Sequence, residues 1–137
     1  MLAYVWQHEL KGEPERLRMM SDVLDPSTRG HLERIGVVEG WRCLEIGAGN
    51  GSISQWLAKR VGSTGQVTAS DINIDLMRGI ATDNLDVCRF DVVKDEAPGA
   101  PFDLSSCGRY CITFRSGARW FRDSLAETRW LRHARGT

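Results

Sequence analysis

The sequence predicts an α/β protein built on a parallel sheet, and three observations support this. Short β-type runs alternate with segments of helical period between residues 41 and 90. A glycine-rich turn separates the first of these runs from the helix that follows it. Acidic residues lie at or near the ends of the first three runs: Glu45, Asp71 and Asp91. Alternating strands and helices are typical of βαβ units, in which ligands bind beyond the carboxyl ends of the strands. The three carboxylates are therefore expected to converge on one sheet edge.

The first part of the chain is predicted to be helical. A helix covers about residues 14–24 and has a proline in its first turn. Asp25-Pro26-Ser27-Thr28 predicts a turn that caps a second helix, and Gly36 ends this helix. Residues 1–35 are therefore expected to form a helical cap that precedes the sheet.

The sheet region is predicted for residues 36–104. A short apolar run over 41–46 predicts a buried first strand, and a helix over 53–61 follows the glycines. A second strand is predicted over 66–70 and a third over 85–90, with a helical turn or two between them at 75–80. A fourth strand opens at 102–104.

The chemistry of the predicted site begins with the run Glu45-Ile-Gly47-Ala-Gly49-Asn-Gly51. Alternate glycines let the backbone bend sharply and approach a ligand closely, and the next helix points its amide groups at that ligand. A dinucleotide fingerprint, G-x-G-x-x-G, would place its third glycine where Ser52 stands. The carboxylate of Glu45 would repel a pyrophosphate and attract a cationic group. The pattern therefore favours a cationic ligand over NAD, with an NAD-binding domain as the weaker alternative.

Two further carboxylates describe the rest of the ligand. Asp71 follows Gly51 by 20 residues, at the end of the second strand, where a carboxylate can accept both ribose hydroxyls of a nucleoside. Asp91 can accept the exocyclic amine of an adenine, and the apolar neighbours Ile72 and Val92 can hold the ring between them. An adenosine that carries a cationic amino-acid tail is S-adenosylmethionine.

These residues resemble the motifs of class I S-adenosylmethionine-dependent methyltransferases. The glycine run is similar to the first motif of that family, Ser70-Asp71-Ile72 to its ribose-binding acidic position, and Phe90-Asp91-Val92 to its adenine-contacting position. The resemblance covers about residues 4–104, and its N-terminal stretch is similar to bacterial small-molecule methyltransferases, in which helices cover the cofactor. It implies a Rossmann-like sheet and cofactor contacts from Glu45, Gly47, Ala48, Gly49, Gly51, Asp71, Ile72, Asp91 and Val92.

The resemblance implies methyl transfer from S-adenosylmethionine to a small-molecule acceptor. Catalysis of this kind consists mainly of alignment, because the sulfonium is already activated, so no catalytic base is assigned. The alternative is a non-catalytic remnant that binds S-adenosylmethionine weakly. The residues specify neither the acceptor nor the methylated atom.

Composition narrows the class of protein. The 137 residues carry 18 basic and 18 acidic side chains, which argues against a nucleic-acid binder. The sequence has no apolar run of about 18 residues and no signal-peptide pattern, so neither a membrane partner nor export is expected. Four cysteines in a chain of this length do not make a disulfide framework, and a cytoplasmic location with reduced thiols is expected. The three histidines lack metal-like partners and are expected on the surface; no metal site is predicted, and the oligomeric state is left open.

The net charge of zero is the sum of two segments of opposite charge. Residues 1–104 have a charge balance of −5, whereas residues 105–137 contain seven arginines and have a balance of +5. The arginine-rich tail has no apolar period and does not resemble the fourth strand and helix of the family. A boundary is therefore predicted after about Leu104, followed by an irregular tail.

The genetic code suggests an origin for this tail. The residues can be back-translated, and new codons formed from the third base of one codon and the first two bases of the next. The codon that spans Tyr110 and Cys111 must then encode Leu, and the codon that spans Trp120 and Phe121 must encode Val. Cys111-Ile112 must encode His or Tyr. These forced residues agree in register with the family's segment after Phe-Asp-Leu. The hypothesis is that residues 105–137 are read in a shifted frame, by a natural shift or a sequencing error. The alternative is a genuine divergent extension.

Overall fold

A computed structural model of the chain describes residues 12–91, 94–95 and 102–107. Two helices and four strands alternate along these residues, with a short 3-10 helix, Asp75–Met77, before the third strand. The helices and strands are α1 (Glu13–Ile35), β1 (Arg42–Ile46), α2 (Ser52–Val61), β2 (Gln66–Asp71), β3 (Leu85–Arg89) and β4 (Leu104–Cys107). The predicted alternation of strands and helices is confirmed.

The four strands form one parallel sheet in the order β3-β2-β1-β4. β1 lies at the centre, where Ile46 is opposite Ser70 of β2 and Cys107 of β4. In the β2–β3 pair, Asp71 is opposite Arg89. All four strands therefore end at the same edge, as the predicted Rossmann-like arrangement requires.

The apolar core lies between the sheet and α2. β1 and β2 contribute side chains that are almost completely buried, as parallel strands covered on their faces require. The helical period of α2 directs Ile53, Leu57 and Val61 into the same core. This packing fixes where α2 begins, and thus fixes the glycine-rich loop between β1 and α2.

The first helix corrects one prediction. Asp25-Pro26-Ser27-Thr28 was predicted to be a turn between two helices, but α1 is continuous and contains Pro26 in its interior. Proline has no N–H for the carbonyl of Asp22, so the helix loses one hydrogen bond there. Contacts on both sides of the proline maintain the helix, because Leu32 is completely buried in the core and Leu17 lies against the glycine-rich loop.

The fourth strand, whose opening is predicted at residues 102–104, is present. β4 continues three residues beyond Leu104, through Cys107, and pairs with β1. Parallel pairing uses backbone groups, so it does not depend on an apolar side-chain pattern, and the small side chains of Ser105 and Ser106 are buried. The rest of the arginine-rich tail lies outside the described residues.

Within the described residues, no helix is both long enough and apolar enough to cross a membrane.

Candidate functional site

The glycine-rich loop joins β1 to α2 through three residues with left-handed backbone. Gly47, Gly49 and Gly51 have φ angles of 72°, 61° and 79°. Side chains rarely adopt this conformation, which explains the alternate glycines. Gly51 has a second reason, because a Cβ atom there would collide with the end of the Ile80 side chain and come within 3.3 Å of Met77 Cγ.

Hydrogen bonds from β2 hold the loop in place. The Ala48 N–H donates to the Ser70 carbonyl (3.0 Å), and the Gly49 N–H donates to Asp71 Oδ2 (2.8 Å). Asp71 is only 6% exposed, and its other oxygen accepts the Asn73 N–H at 3.4 Å. The carboxylate predicted to bind ribose therefore also fixes the loop next to it.

Glu45 lies at the base of the loop, on β1, and is only 4% exposed. The Ser54 hydroxyl, from the first turn of α2, donates a hydrogen bond to Glu45 Oε2. No described lysine or arginine forms an ion pair with this carboxylate. A buried carboxylate without a cation is costly, because desolvation disfavours its charged form.

The environment of Glu45 raises its pKa to about 7, mainly because burial removes the carboxylate from water. Hydrogen bonding from Ser54 opposes this rise, and the negative charges of Asp25 and Asp71 add to it. Near neutral pH, a small change in the surroundings of Glu45 therefore decides whether it is charged.

The second half of the predicted site follows β2 and β3. The Phe90 N–H donates to the Asp71 carbonyl at 2.9 Å, which places the end of β3 beside the end of β2. Ile72, next to Asp71, is 38% exposed, and Asp91 is half-buried. The backbone N–H of Asp91 donates to Asp95 Oδ2 at 2.8 Å. The last predicted residue, Val92, lies outside the described residues.

A cavity of about 420 Å³ separates the glycine-rich loop from α1. Its volume is within the range of small-molecule pockets. One wall is formed by the loop and its flanks, including Glu45, Gly47, Ala48 and Gly49. Asp71, Ile72 and Asp91 are not part of this wall; they belong to the neighbouring strand ends. The predicted residues thus form two adjoining parts, a cavity part and a strand-end part.

The opposite wall of the cavity was not anticipated from the sequence. It consists of one face of α1, on which the polar residues are Ser21, Asp25, Ser27, Thr28, His31 and Arg34. His31, expected on the surface, is half-buried there. Helical spacing alone places these residues on one side, but the predicted turn at Pro26 divided the helix and obscured that face.

Ser21 connects this wall to the loop. Its Oγ accepts hydrogen bonds from Asn50 Nδ2 and from the Ser52 hydroxyl, both at 3.2 Å. Asn50 Oδ1 in turn accepts the Ser52 N–H at 3.1 Å, at the start of α2. Three segments therefore share one polar cluster, which we call the Ser21 cluster: Ser21, Asn50 and Ser52.

Comparison with known proteins agrees with this geometry. No protein-family model matches the chain. The chain is 31% identical over 115 residues to the ubiquinone/menaquinone biosynthesis C-methyltransferase UbiE of Pseudomonas putida F1, and the match covers 74% of this chain and 42% of that protein. The UbiE protein of Ectopseudomonas oleovorans matches at the same identity and is covered to 63%. The chain thus spans less than two thirds of these relatives.

Solved structures share the fold. A SAM-dependent methyltransferase from Aquifex aeolicus has a TM-score of 0.54 and 23% identity, with 71% of this chain and 57% of that chain covered. A TehB-like SAM-dependent methyltransferase from Corynebacterium glutamicum has a TM-score of 0.53 and 20% identity, with coverage of 69% and 54%. At these identities the structures establish the fold. The sequence relatives and the shared fold together confirm the resemblance to class I S-adenosylmethionine-dependent methyltransferases.

Proposed function

We propose that this chain binds S-adenosylmethionine and takes part in the transfer of its methyl group to a small-molecule acceptor. The observation that carries the proposal is Glu45, a buried carboxylate without a described ion-pair partner on the wall of a ligand-sized cavity. The similarity to UbiE and the shared methyltransferase fold support it.

The residues of the cavity fit the amino-acid end of this ligand. A carboxylate offers about four acceptor positions, and Ser54 is the described residue that hydrogen-bonds Glu45. Acceptor positions therefore remain for a cationic amino group. The left-handed glycines leave the loop without side chains at Gly47 and Gly49, so the ligand can approach the backbone closely.

The strand ends fit the adenosine end. We assign the ribose hydroxyls to Asp71 and the exocyclic amine of the adenine to Asp91. Ile72 provides an exposed apolar surface for the ring between these two carboxylates, and Val92 is assigned to the opposite face of the ring. Along the sheet edge, β1 is followed by β2 and then by β3. The amino-acid, ribose and base parts follow one another in the same order along the ligand.

The chain's contribution to the reaction is binding and alignment. The bound ligand supplies an activated methyl group on its sulfonium. Glu45 holds the amino-acid end of the ligand and Asp71 its ribose, so the sulfonium between them lies between the loop and the polar face of α1. That face is where an acceptor would meet the methyl group, and alignment of this kind lowers the barrier by removing the entropy cost of bringing the reactants together.

The carboxylate of Glu45 also argues against an NAD-binding domain. A dinucleotide would place its pyrophosphate at the loop, where the negative charge of Glu45 would repel it. We therefore expect little affinity for NAD.

Isothermal titration calorimetry of the full chain tests the proposal. We expect micromolar binding of S-adenosylmethionine and its product S-adenosylhomocysteine, and no heat with NAD. Asp71→Ala should abolish the binding. Asp83→Ala is the matched control, because it removes an exposed carboxylate from the turn before β3 and should leave binding unchanged.

Equal binding of NAD and S-adenosylmethionine would contradict the proposal, as would the absence of binding by a chain with a native near-ultraviolet circular dichroism spectrum. Binding without methyl transfer to any of a panel of phenols, amines, thiols and quinols would favour the non-catalytic alternative.

A further inference from the structure

We propose that Ser21 is a positioning residue that holds α1 against the glycine-rich loop, and that α1 pivots at Pro26 when this contact opens. The inference rests on the proposed function, because it assigns the control of ligand entry to the same cavity. It is carried by three features of α1: an anchor at one end, a polar contact towards the other, and a weak point between them.

The anchor is at the C-terminal end of α1. Leu32 is completely buried in the core, and Val37, just beyond the helix, is buried beside it. Gly36 closes the helix with hydrogen bonds to the carbonyls of Leu32 and Glu33. The other described side chains of α1 are half-buried or exposed. The C-terminal end is therefore fixed to the core, whereas the part before Pro26 is held more weakly.

The polar contact is the Ser21 cluster. Ser21 joins α1 to Asn50 of the loop and Ser52 of α2 across about 30 residues of sequence. Asn50 Oδ1 accepts the Ser52 N–H at 3.1 Å and also lies 3.4 Å from Ser21 Oγ, so both ends of the Asn50 amide group face Ser21. Because Asn50 lies between Gly49 and Gly51, the orientation of Ser21 is coupled to the conformation of the loop that lines the cavity.

The weak point is Pro26, which lies between Ser21 and Leu32. The proline removes one backbone hydrogen bond of the helix, and proline is the usual site of a helix kink. Two residues later, the Thr28 hydroxyl donates to the Leu24 carbonyl at 3.2 Å, a side-chain contact that also bends helices. Release of Ser21 removes the polar contact of the N-terminal part of α1 and leaves the apolar contact of Leu17 with the loop, so this part moves more easily while Leu32 stays in place.

Two substitutions should change the binding kinetics in opposite directions. Ser21→Ala removes the contact, and we expect the dissociation rate constant of S-adenosylhomocysteine to rise about three- to tenfold, the effect of losing a net hydrogen bond or two. Pro26→Ala restores the missing N–H and stiffens the helix, so association and dissociation should both slow by about threefold. A merely structural role of either residue would not give opposite signs.

The experiment combines stopped-flow binding with amide hydrogen exchange of the free chain. In Ser21→Ala, the amides of residues 50–52 and of the part of α1 before Pro26 should exchange faster. Ser52→Ala should reproduce this effect, and the double variant should add little to either single variant. Ser63→Ala, at an exposed serine of the turn after α2, is the control and should match the wild type.

Wild-type exchange and wild-type rates in folded Ser21→Ala and Ser52→Ala would overturn the inference, as would rate changes of the same sign in Ser21→Ala and Pro26→Ala. If the wild-type chain binds no S-adenosylhomocysteine, the proposed function fails. The hydrogen exchange of the free chain still decides whether Ser21 holds α1 to the loop.

Discussion

A carboxylate oxygen of Asp71 accepts the backbone N–H of Gly49 at 2.8 Å, across 22 residues of sequence. Asp71 ends β2, and Gly49 is the middle glycine of the loop that ends β1. The residue assigned to the ribose therefore has a structural task before any ligand binds. Substitutions at position 71 consequently affect both folding and binding, and the two effects can be separated.

Asp71→Asn should separate them. The amide oxygen of asparagine can still accept the Gly49 N–H, although the longer contact with the Asn73 N–H at 3.4 Å is lost, and the amide group cannot accept two ribose hydroxyls as a carboxylate does. We expect stability close to that of the wild type and about 10- to 100-fold weaker binding of S-adenosylmethionine. Asp71→Ala should in addition lower the free energy of unfolding by about 1.5–3 kcal/mol. Calorimetric titration and urea denaturation measure the two quantities, and unchanged affinity in Asp71→Asn would refute the ribose assignment.

Ligand binding should depend on pH through Glu45. A cationic group prefers the ionised carboxylate, and the pKa of Glu45 in the free chain is raised to about 7 by burial. Below that pH the ligand must displace a proton, so affinity should rise with pH, by up to about tenfold per unit, and level off above pH 7. Titrations at pH 6 in buffers of different ionisation enthalpy should show proton release. Glu45→Gln should bind weakly at all pH values, and a pH-independent wild type would contradict the assignment.

The free energy of unfolding should also depend on pH through Glu45. It should fall as pH rises, whereas the ligand affinity rises. The pKa is about 7 in the folded chain and 4.5 for an unperturbed glutamate, so the folded state holds the proton more tightly. The stabilisation from this group is complete below pH 4.5 and is lost as pH rises through 7, a change of about 3 kcal/mol. Denaturation of the wild type and Glu45→Gln from pH 5 to 8 should therefore show a difference that grows in favour of Gln. A constant difference would be inconsistent with a raised pKa.

The glycines of the loop should differ in their tolerance of alanine. Gly47→Ala and Gly51→Ala both force a side chain into left-handed backbone, at a cost of about 1–2 kcal/mol. A Cβ at Gly47 meets no atom within 4 Å, whereas at Gly51 it meets Ile80 and Met77. Gly51→Ala should therefore lower the melting temperature more than Gly47→Ala. Equal melting temperatures would mean that Ile80 moves aside without cost.

The frame of the gene after Leu104 is a separate prediction. We expect resequencing across codons 104–106 to reveal a shift, after which the restored frame encodes Leu, His or Tyr, and Val at the forced positions. An unbroken frame that gives Ser105 onward, together with relatives that share the arginine-rich tail, would establish a genuine extension. The pairing of Ser105 and Ser106 with β1 makes the strand itself compatible with the present frame.

The sequence alone determined the sheet and the loop. Apolar runs, glycines and strand-end acids are local signals, and they predicted β1, α2, β2 and β3 within about a residue, together with the grouping of Glu45 and Asp71. These features depend on the period of apolar side chains and on the freedom of glycine to adopt positive φ, and both can be predicted from a short stretch of sequence.

Only the tertiary structure decided the course of α1 and the role of its polar face. Pro26 locally favours a turn, and the helix continues because Leu32 and Ser21, on opposite sides of it, make contacts with segments far away in sequence. The cavity, the half-buried position of His31 and the raised pKa of Glu45 depend on the same long-range packing. Local propensity is worth a few kcal/mol at most, and burial and hydrogen bonding between distant segments can exceed it.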